Sequence, residues 1–146
     1  MTVTTDVFAW TTFCDDVRRE EGNKLSFLGI YATELFLPSF PVQLPKLCFV
    51  MTVRVPVERE LHSLLFRLYR DDELISEAAA APAALQRPMD LPAGDDAPTW
   101  VLVTNVLQMF PIQFTAPCAF RVVAVVDGEE VKAGKLRVKA APATAG

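Results

Sequence analysis

The sequence predicts an all-β protein, a single antiparallel β-sandwich of about eight to nine strands. Short apolar segments recur at regular intervals, and each ends at residues that favour a turn, as in a sandwich. The stretch from residue 20 to residue 55 is a second indication, because three prolines fall within the eight residues from Pro38 to Pro45. Proline lacks the N–H group of a sheet ladder and fixes φ, so this stretch can be neither helix nor central strand. We expect the chain to cross between two sheets there.

In the N-terminal half, apolar runs bounded by polar turns define the strands. The expected strands are Val7 to Cys14, Leu25 to Tyr31, a short edge piece around Glu34 to Phe36, and Leu47 to Val55. The first is expected to end at Asp15-Asp16. The segment from Leu47 to Val55 alternates cleanly, with its odd-numbered residues on one face and its even-numbered residues on the other, which is typical of a strand over a core.

In the C-terminal half, two hairpins are expected. Leu61 to Arg70 and Leu74 to Ala80 turn on Asp71-Asp72-Glu73, and Cys118 to Val126 and Val131 to Val138 turn on Asp127-Gly128. Between the hairpins lie a long surface connection from Ala79 to Pro98 with a short helical turn, the strand Trp100 to Leu107, and a connection from Pro111 to Pro117. Residues 1–139 are expected to form the sandwich domain and residues 140–146 a loose tail.

Length and composition narrow the functional classes. The chain is 51% hydrophobic and 22% charged, so a single globular domain is expected. Its net charge of −4 lacks the basic surplus of a nucleic-acid binder. No export signal is evident and no apolar run approaches the ~20 residues of a membrane span, so no membrane partner is expected. Three cysteines in apolar strands suit a reducing compartment, which predicts a cytoplasmic product or a virion component made there.

Two neighbouring motifs resemble a known group of proteins. V-R-R-E-E-G-N-K-L-S-F-L-G-I-Y is followed by L-P-S-F-P-V-Q-L-P-K-L-C-F-V, and the pair is similar to a family of bacterial and prophage-encoded domains of unknown function. The resemblance implies an Ig-like or C2-like sandwich in a bacterial or phage setting. It brings no catalytic residues with it.

Candidates for catalysis, cofactor binding and metal binding are few. His62 is the sole histidine, and we interpret it as a hydrogen-bonded structural residue at the end of a core-facing strand. A hydrolase using His62 or a cysteine ranks last. The scattered glycines form no phosphate loop, so no cofactor is expected. The acidic pairs or triplets at residues 15–16, 71–73 and 95–96 could supply oxygen ligands to calcium, although such groups are ordinary turn residues.

The most suggestive pattern lies on the outward positions of three predicted strands, where arginines alternate with apolar residues. These positions are Val50, Thr52 and Arg54; Leu65, Arg67 and Tyr69; and Arg121, Val123 and Val125. If the strands are neighbours, they form a mixed apolar and arginine surface typical of protein interfaces. Alternatively, a loop covers this face and the arginine stems pack along it with their heads in water.

The sequence therefore predicts a non-enzymatic protein-interaction or structural module of bacterial or phage origin. It is expected to self-associate or to dock on a protein partner, and no small-molecule ligand is indicated. The alternative is a calcium-dependent C2-like or carbohydrate-binding sandwich that uses the acidic loops.

Overall fold

A computed structural model describes residues 6–85 and 99–142 of the chain. The described residues form eleven strands and one helical turn, α1 (Pro82–Leu85). The strands are β1 (Phe8–Glu20), β2 (Lys24–Tyr31), β3 (Glu34–Leu37), β4 (Val42–Leu44), β5 (Leu47–Pro56), β6 (Leu64–Arg70), β7 (Glu73–Ala79), β8 (Trp100–Met109), β9 (Ile112–Phe114), β10 (Cys118–Val126) and β11 (Glu129–Ala140). The predicted all-β class is confirmed.

The strands form two main sheets and one small ladder. The four-stranded sheet has the order β2-β1-β5-β8, and the five-stranded sheet has the order β3-β11-β10-β6-β7. Among the described residues, strands β4 and β9 pair only with each other. Each pair is antiparallel except β3 with β11, which is parallel.

The two strands beyond the predicted number are β4 and β9, which lie within the predicted proline-rich connections. Each has three residues, and prolines stand close to both ends: Pro41 and Pro45 around β4, Pro111 and Pro117 around β9. The residues between the prolines retain their N–H groups, so a short ladder still forms. Pairing between these two connections is a tertiary contact that neither segment indicates alone.

The two main sheets pack face to face on one apolar core. The phenyl rings of Phe13 and Phe49 lie 5.7 Å apart, those of Phe49 and Phe120 lie 5.2 Å apart, and those of Phe120 and Phe114 lie 6.1 Å apart. The contact between Phe49 on β5 and Phe120 on β10 joins the sheets. All these ring pairs meet edge to face, the arrangement that the aromatic quadrupole favours.

The predicted alternation of β5 is confirmed. Its odd-numbered residues from Leu47 to Val55 belong to the shared core, and its even-numbered residues Cys48 and Val50 form a separate cluster on the other side of the sheet. The proline crossover also behaves as predicted, because β3 lies in the five-stranded sheet and β5 in the four-stranded one.

Both predicted hairpin turns are present. Asp71 opens the turn between β6 and β7 with a φ of 53°, and Asp127 and Gly128 turn the chain between β10 and β11 with φ values of 49° and 85°. Aspartate and glycine are among the residues that tolerate this left-handed region.

Several predicted boundaries are wrong. Strand β11 runs from Glu129 to Ala140 and not from Val131 to Val138. Strand β1 continues through Asp15-Asp16 to Glu20 instead of turning there, and Asp16 pairs with Leu28 of β2. Strand β6 begins at Leu64 and not at Leu61. Strand β8 continues past Leu107 to Met109, along the full length of β5. Most of the predicted connection before β8, residues 86–98, lies outside the described residues.

Candidate functional site

The outer face of the four-stranded sheet, which is the face turned away from the core, carries a cluster of aromatic side chains around one arginine. Phe8 on β1 lies opposite Arg54 on β5, and Arg54 lies opposite Leu102 on β8. Trp10 and Trp100 stand on the same face, two residues along β1 and β8. We call these five residues the aromatic–arginine patch: Phe8, Trp10, Arg54, Trp100 and Leu102.

Three members of the patch leave much of their apolar surface in water. The exposed fractions are 56% for Phe8, 41% for Trp100 and 57% for Leu102. Single exposed apolar residues are ordinary on protein surfaces, whereas a contiguous group drawn from three neighbouring strands is typical of an interaction site.

Arg54 is held among the aromatic rings of the patch. Its guanidinium carbon lies 4.0 Å from the ring centre of Trp100 and 5.4 Å from that of Phe8, and the rings of Phe8 and Trp10 are 5.9 Å apart. The Nε atom of Arg54 is buried and has no hydrogen-bond partner in the described part of the chain. The guanidinium is therefore ordered by stacking on rings, which attract a cation through their quadrupoles.

Another part of this outer face is covered by the far half of the β1–β2 hairpin, residues 17–27, which we call the arm. Val17 and Phe27 of the arm pack against Cys14, Cys48 and Val50. The two cysteines have no exposed surface and Val50 is 2% exposed. Val50, which the sequence placed in a possible interface, is therefore buried beneath the chain's own hairpin.

The arm reaches across β5 towards the opposite edge of the sheet. A cleft of about 500 Å³ lies between the arm and β8. It is lined by Arg19, Glu20 and residues 23–25 of the arm and by residues 104–106 of β8. Because β5 and β1 separate β8 from β2 in the sheet, the arm must bend over the outer face to meet β8. Gly29 lies in β2 beside this bend and has a φ of +67°. A Cβ atom there would clash with a carboxylate oxygen of Asp15.

The two cysteines under the arm are direct cross-strand neighbours on β1 and β5. Burial raises the pKa of the Cys14 thiol to about 11, and the neighbouring Cys48 thiol adds to the shift. Burial also raises the pKa of Cys48. Both side chains are thus protonated at neutral pH and pack as small apolar groups, which agrees with the predicted buried thiols.

The outer face of the five-stranded sheet contains the other six predicted interface residues. On β6 and β10, Tyr69 lies opposite Arg121, Arg67 opposite Val123, and Leu65 opposite Val125. The predicted surface required its three strands to be neighbours, and β6 and β10 meet this condition. Strand β5 does not meet it, because β5 lies in the other sheet, so Val50 and Arg54 do not share a surface with these six residues.

Charged side chains form a network over this second face. Arg67 Nε donates to Glu77 at 2.8 Å and its Nη1 lies 3.8 Å from Glu130, while the guanidinium carbon of Arg121 lies 4.3 Å from the ring centre of Tyr69. The bond to Glu77 raises the pKa of Arg67. Val123, opposite Arg67, is 2% exposed. Arginine stems packed along an apolar sheet, with heads paired in water, account for this face.

His62 does not face the core, which corrects the prediction from its strand parity. Its side chain is 77% exposed, and its Nε2 lies 3.6 Å from a carboxylate oxygen of Glu60. The carboxylate of Asp127 instead accepts hydrogen bonds from the backbone N–H groups of His62 and Ser63, at 2.8 and 2.9 Å. Strand β6 therefore starts only at Leu64, and the alternation does not extend back to His62.

The Asp127 carboxyl has a lowered pKa. Its partial burial opposes this shift, but the two backbone N–H groups and Arg59 outweigh it. Asp127 follows the last residue of β10, whereas Cys118 is its first residue, so His62 and Cys118 lie at opposite ends of that strand.

Three of the acidic residues proposed for calcium binding make other contacts. Asp15 accepts a hydrogen bond from the Tyr31 hydroxyl, Asp16 pairs with Lys46 at 2.9 Å, and Asp71 accepts from the Ala119 N–H at 3.0 Å. Within residues 6–85 and 99–142, no group of three or more histidine, cysteine or acidic residues is arranged to hold a metal ion. Asp95 and Asp96 lie outside the described residues. Calcium binding stays a prediction.

Comparison with known proteins identifies the family. The model of a family of unknown function, DUF6941, matches residues 9–139. This range contains all eleven strands except Phe8, the first residue of β1, and Ala140, the last residue of β11. The chain belongs to this family. The resemblance to an uncharacterised family of domains is thereby confirmed. No curated protein and no solved structure matches the chain. In the described residues, no helix has the length and apolar character needed to cross a membrane.

Of the patch, sequence reasoning found only Arg54. Phe8 and Trp10 alternate with Ala9 and Thr11 on one strand, and Trp100 and Leu102 alternate with Val101 and Val103 on another. In both strands the larger side chains take the outward positions. That size difference was the available signal, but the usual assumption that the larger apolar residues face the core points the other way.

Proposed function

We propose that this protein is a non-enzymatic interaction module that binds a protein partner through the aromatic–arginine patch. The observation that carries the proposal is the exposed apolar group of Phe8, Trp100 and Leu102 surrounding a ring-stacked arginine. Interfaces are enriched in tryptophan and arginine, and these residues supply much of their binding energy. The bacterial or phage origin and the cytoplasmic location inferred from the sequence belong to the same proposal.

The geometry of Arg54 supports binding in a second way. Ordering a long side chain on binding costs about 0.5 to 1.5 kcal/mol, which reduces the affinity. Arg54 is already held by the rings of Trp100 and Phe8, so this cost is partly met before a partner arrives. Its guanidinium can donate to a carboxylate or a backbone carbonyl of the partner, while the surrounding rings exclude water from the contact.

The two outer faces allow a matched crosslinking experiment. A photoreactive benzophenone amino acid replaces Leu102 in the patch or, in the control, Arg121 on the five-stranded sheet. Illumination in cells of the source organism should join position 102 to a protein partner and leave position 121 without one. The partner is then purified and its affinity for the full chain is measured by calorimetry.

Substitutions in the purified complex decide the outcome. Trp100→Ser and Arg54→Ala should each weaken binding by about tenfold or more, equivalent to about 1.4 kcal/mol. Arg121→Ala should change the affinity less than about twofold. Equal affinities for wild type and both patch variants, or crosslinks confined to position 121, would overturn the proposal.

A further inference from the structure

Strand β8 forms one edge of the four-stranded sheet, and it differs from the other sheet edges. Within residues 6–85 and 99–142, its one neighbour is β5, and the two strands pair without a bulge from Pro56–Trp100 to Leu47–Met109. Every second residue of an edge strand directs its N–H and C=O groups away from the sheet. A long regular edge of this kind can accept another strand.

The other edges carry the features that prevent strand pairing. Strand β3 has four residues and begins with Glu34. Strand β7 contains two glutamates, and its pairing with β6 is interrupted by a register shift. Strand β2 begins with Lys24 and contains Gly29 at a positive φ. Short length, charges and irregularities are the usual protection of exposed edges.

Strand β8 has none of these features. Its sequence, Trp-Val-Leu-Val-Thr-Asn-Val-Leu-Gln-Met, contains no charged residue, no glycine and no proline over ten residues. An unprotected edge of this length and apolar character is a site of association with another strand. We infer that β8 pairs in antiparallel fashion with β8 of a second copy of this chain, so that two four-stranded sheets form one continuous sheet.

A second copy fits this edge because β8 opposes itself without conflict. No like charges meet, since the strand carries none. The two copies are related by a twofold axis perpendicular to the sheet, so their outer faces lie on the same side of the joined sheet. Because residues directly opposite each other point to the same face, even-numbered residues must then oppose even-numbered residues. Registers centred on Thr104 or on Asn105 satisfy this condition. Such a contact is closed, so it yields a dimer and not a fibre.

The exposed area of the aromatic–arginine patch is smaller than that of a standard protein interface. Taking about 150 to 250 Å² for each large side chain, Phe8, Trp100 and Leu102 together expose roughly 300 Å². A standard interface buries about 800 Å² on each partner. Strand β8 is continuous with the patch, because Trp100 and Leu102 belong to both, so dimerisation joins the two patches into one larger surface. The inferred dimer goes beyond the proposed function, and its absence would leave the proposed function intact.

Sedimentation velocity of the full chain from micromolar to hundreds of micromolar tests the dimer. The wild type should approach twice the 16.1 kDa chain mass as concentration rises. Thr104→Lys places two lysines opposite or diagonal to each other in both allowed registers, and it should weaken the dimer by about tenfold or more. Ala79→Lys on β7 adds the same charge to an edge of the other sheet and should leave the dimer unchanged.

Hydrogen exchange of the wild type provides a test that does not depend on any variant folding. The amides of β8 should exchange more slowly at high than at low concentration, whereas those of β7 should not change. A monomer throughout this range, or a dimer in which β8 exchange stays constant, would overturn the inference. Phe8→Ser separates the two proposals: it lies two strands from the edge, so it should weaken the crosslinked partner but retain the β8 dimer. A dimer lost in Phe8→Ser and kept in Thr104→Lys contradicts pairing through β8.

Discussion

The outer faces of the two sheets start from the same pattern, arginine alternating with apolar residues, and end as different surfaces. On the five-stranded sheet, Arg67 contacts Glu77 from the neighbouring strand β7 and Glu130 from β11, which lies on the far side of β10. On the four-stranded sheet, Arg54 contacts Phe8 and Trp100 from β1 and β8, and its Nε atom has no hydrogen-bond partner in the described part of the chain. The surrounding strands of the sheet, and not the strand that carries the arginine, determine the character of each face.

The largest loss of stability is expected from a charge at Val50, which is covered by the arm. Val50→Asp should lower the free energy of unfolding by more than about 3 kcal/mol, because a carboxylate would be buried among Cys14, Cys48 and Phe27 without a partner. Leu65→Asp, at an outward and only half-buried position of the five-stranded sheet, is the matched control and should cost less. Urea unfolding measures both. Equal losses would mean that the arm does not seal this part of the face.

The second prediction concerns the bend that brings the arm over the sheet. Gly29→Ala should cost about 1 to 2 kcal/mol in stability, because a left-handed conformation is strained for alanine and the new Cβ would meet the Asp15 carboxylate. Gly22→Ala is the control, since Gly22 has a similar φ of +78° but open space around it. The difference between the two losses isolates the contact with Asp15. Thiol titration should also find Cys14 and Cys48 more reactive in Gly29→Ala than in Gly22→Ala.

The third prediction measures the ring contacts of the patch. Arg54→Ala should lower the free energy of unfolding by about 1 kcal/mol, because exposed cation–π contacts are worth about 0.5 to 1 kcal/mol each. The effect should persist at high salt, since the rings carry no net charge, and the fluorescence of Trp100 should change. A loss that disappears in salt would point to an ionic partner for Arg54 instead of the rings.

The smallest effect is expected on the five-stranded sheet. Arg67→Met keeps much of the aliphatic stem but removes the ion pairs with Glu77 and Glu130, so stability should fall less than in Arg54→Ala. The difference from wild type should vanish at about 1 M salt, where the Debye length is about 3 Å. Thermal unfolding at low and high salt provides the check. A salt-independent loss would show that packing by the Arg67 stem, and not its charge, stabilises this face.

Much of the fold was predictable because it depends on local chemistry. Alternation in β5 identified its core face, Asp127-Gly128 located a hairpin turn, and three prolines located the crossover. The boundaries failed where a distant group decides them. The start of β6 depends on the Asp127 carboxylate, which holds the backbone N–H of His62 from across the fold. The candidate site was predicted only in part, since its residues come from three strands widely separated in the sequence.

The amino-acid sequence by itself determined that this chain forms an all-β sandwich, where its main strands alternate, and where prolines and Asp-Gly turns separate them. These properties follow from the backbone limits of single residues and from a period of two along each strand. Only the tertiary structure decided that β5 lies between β1 and β8, so that Arg54 is surrounded by rings. The same strand order placed the arm over Val50 and left β8 at an edge. Strand order brings together residues far apart in the chain, and local preferences carry no information about it.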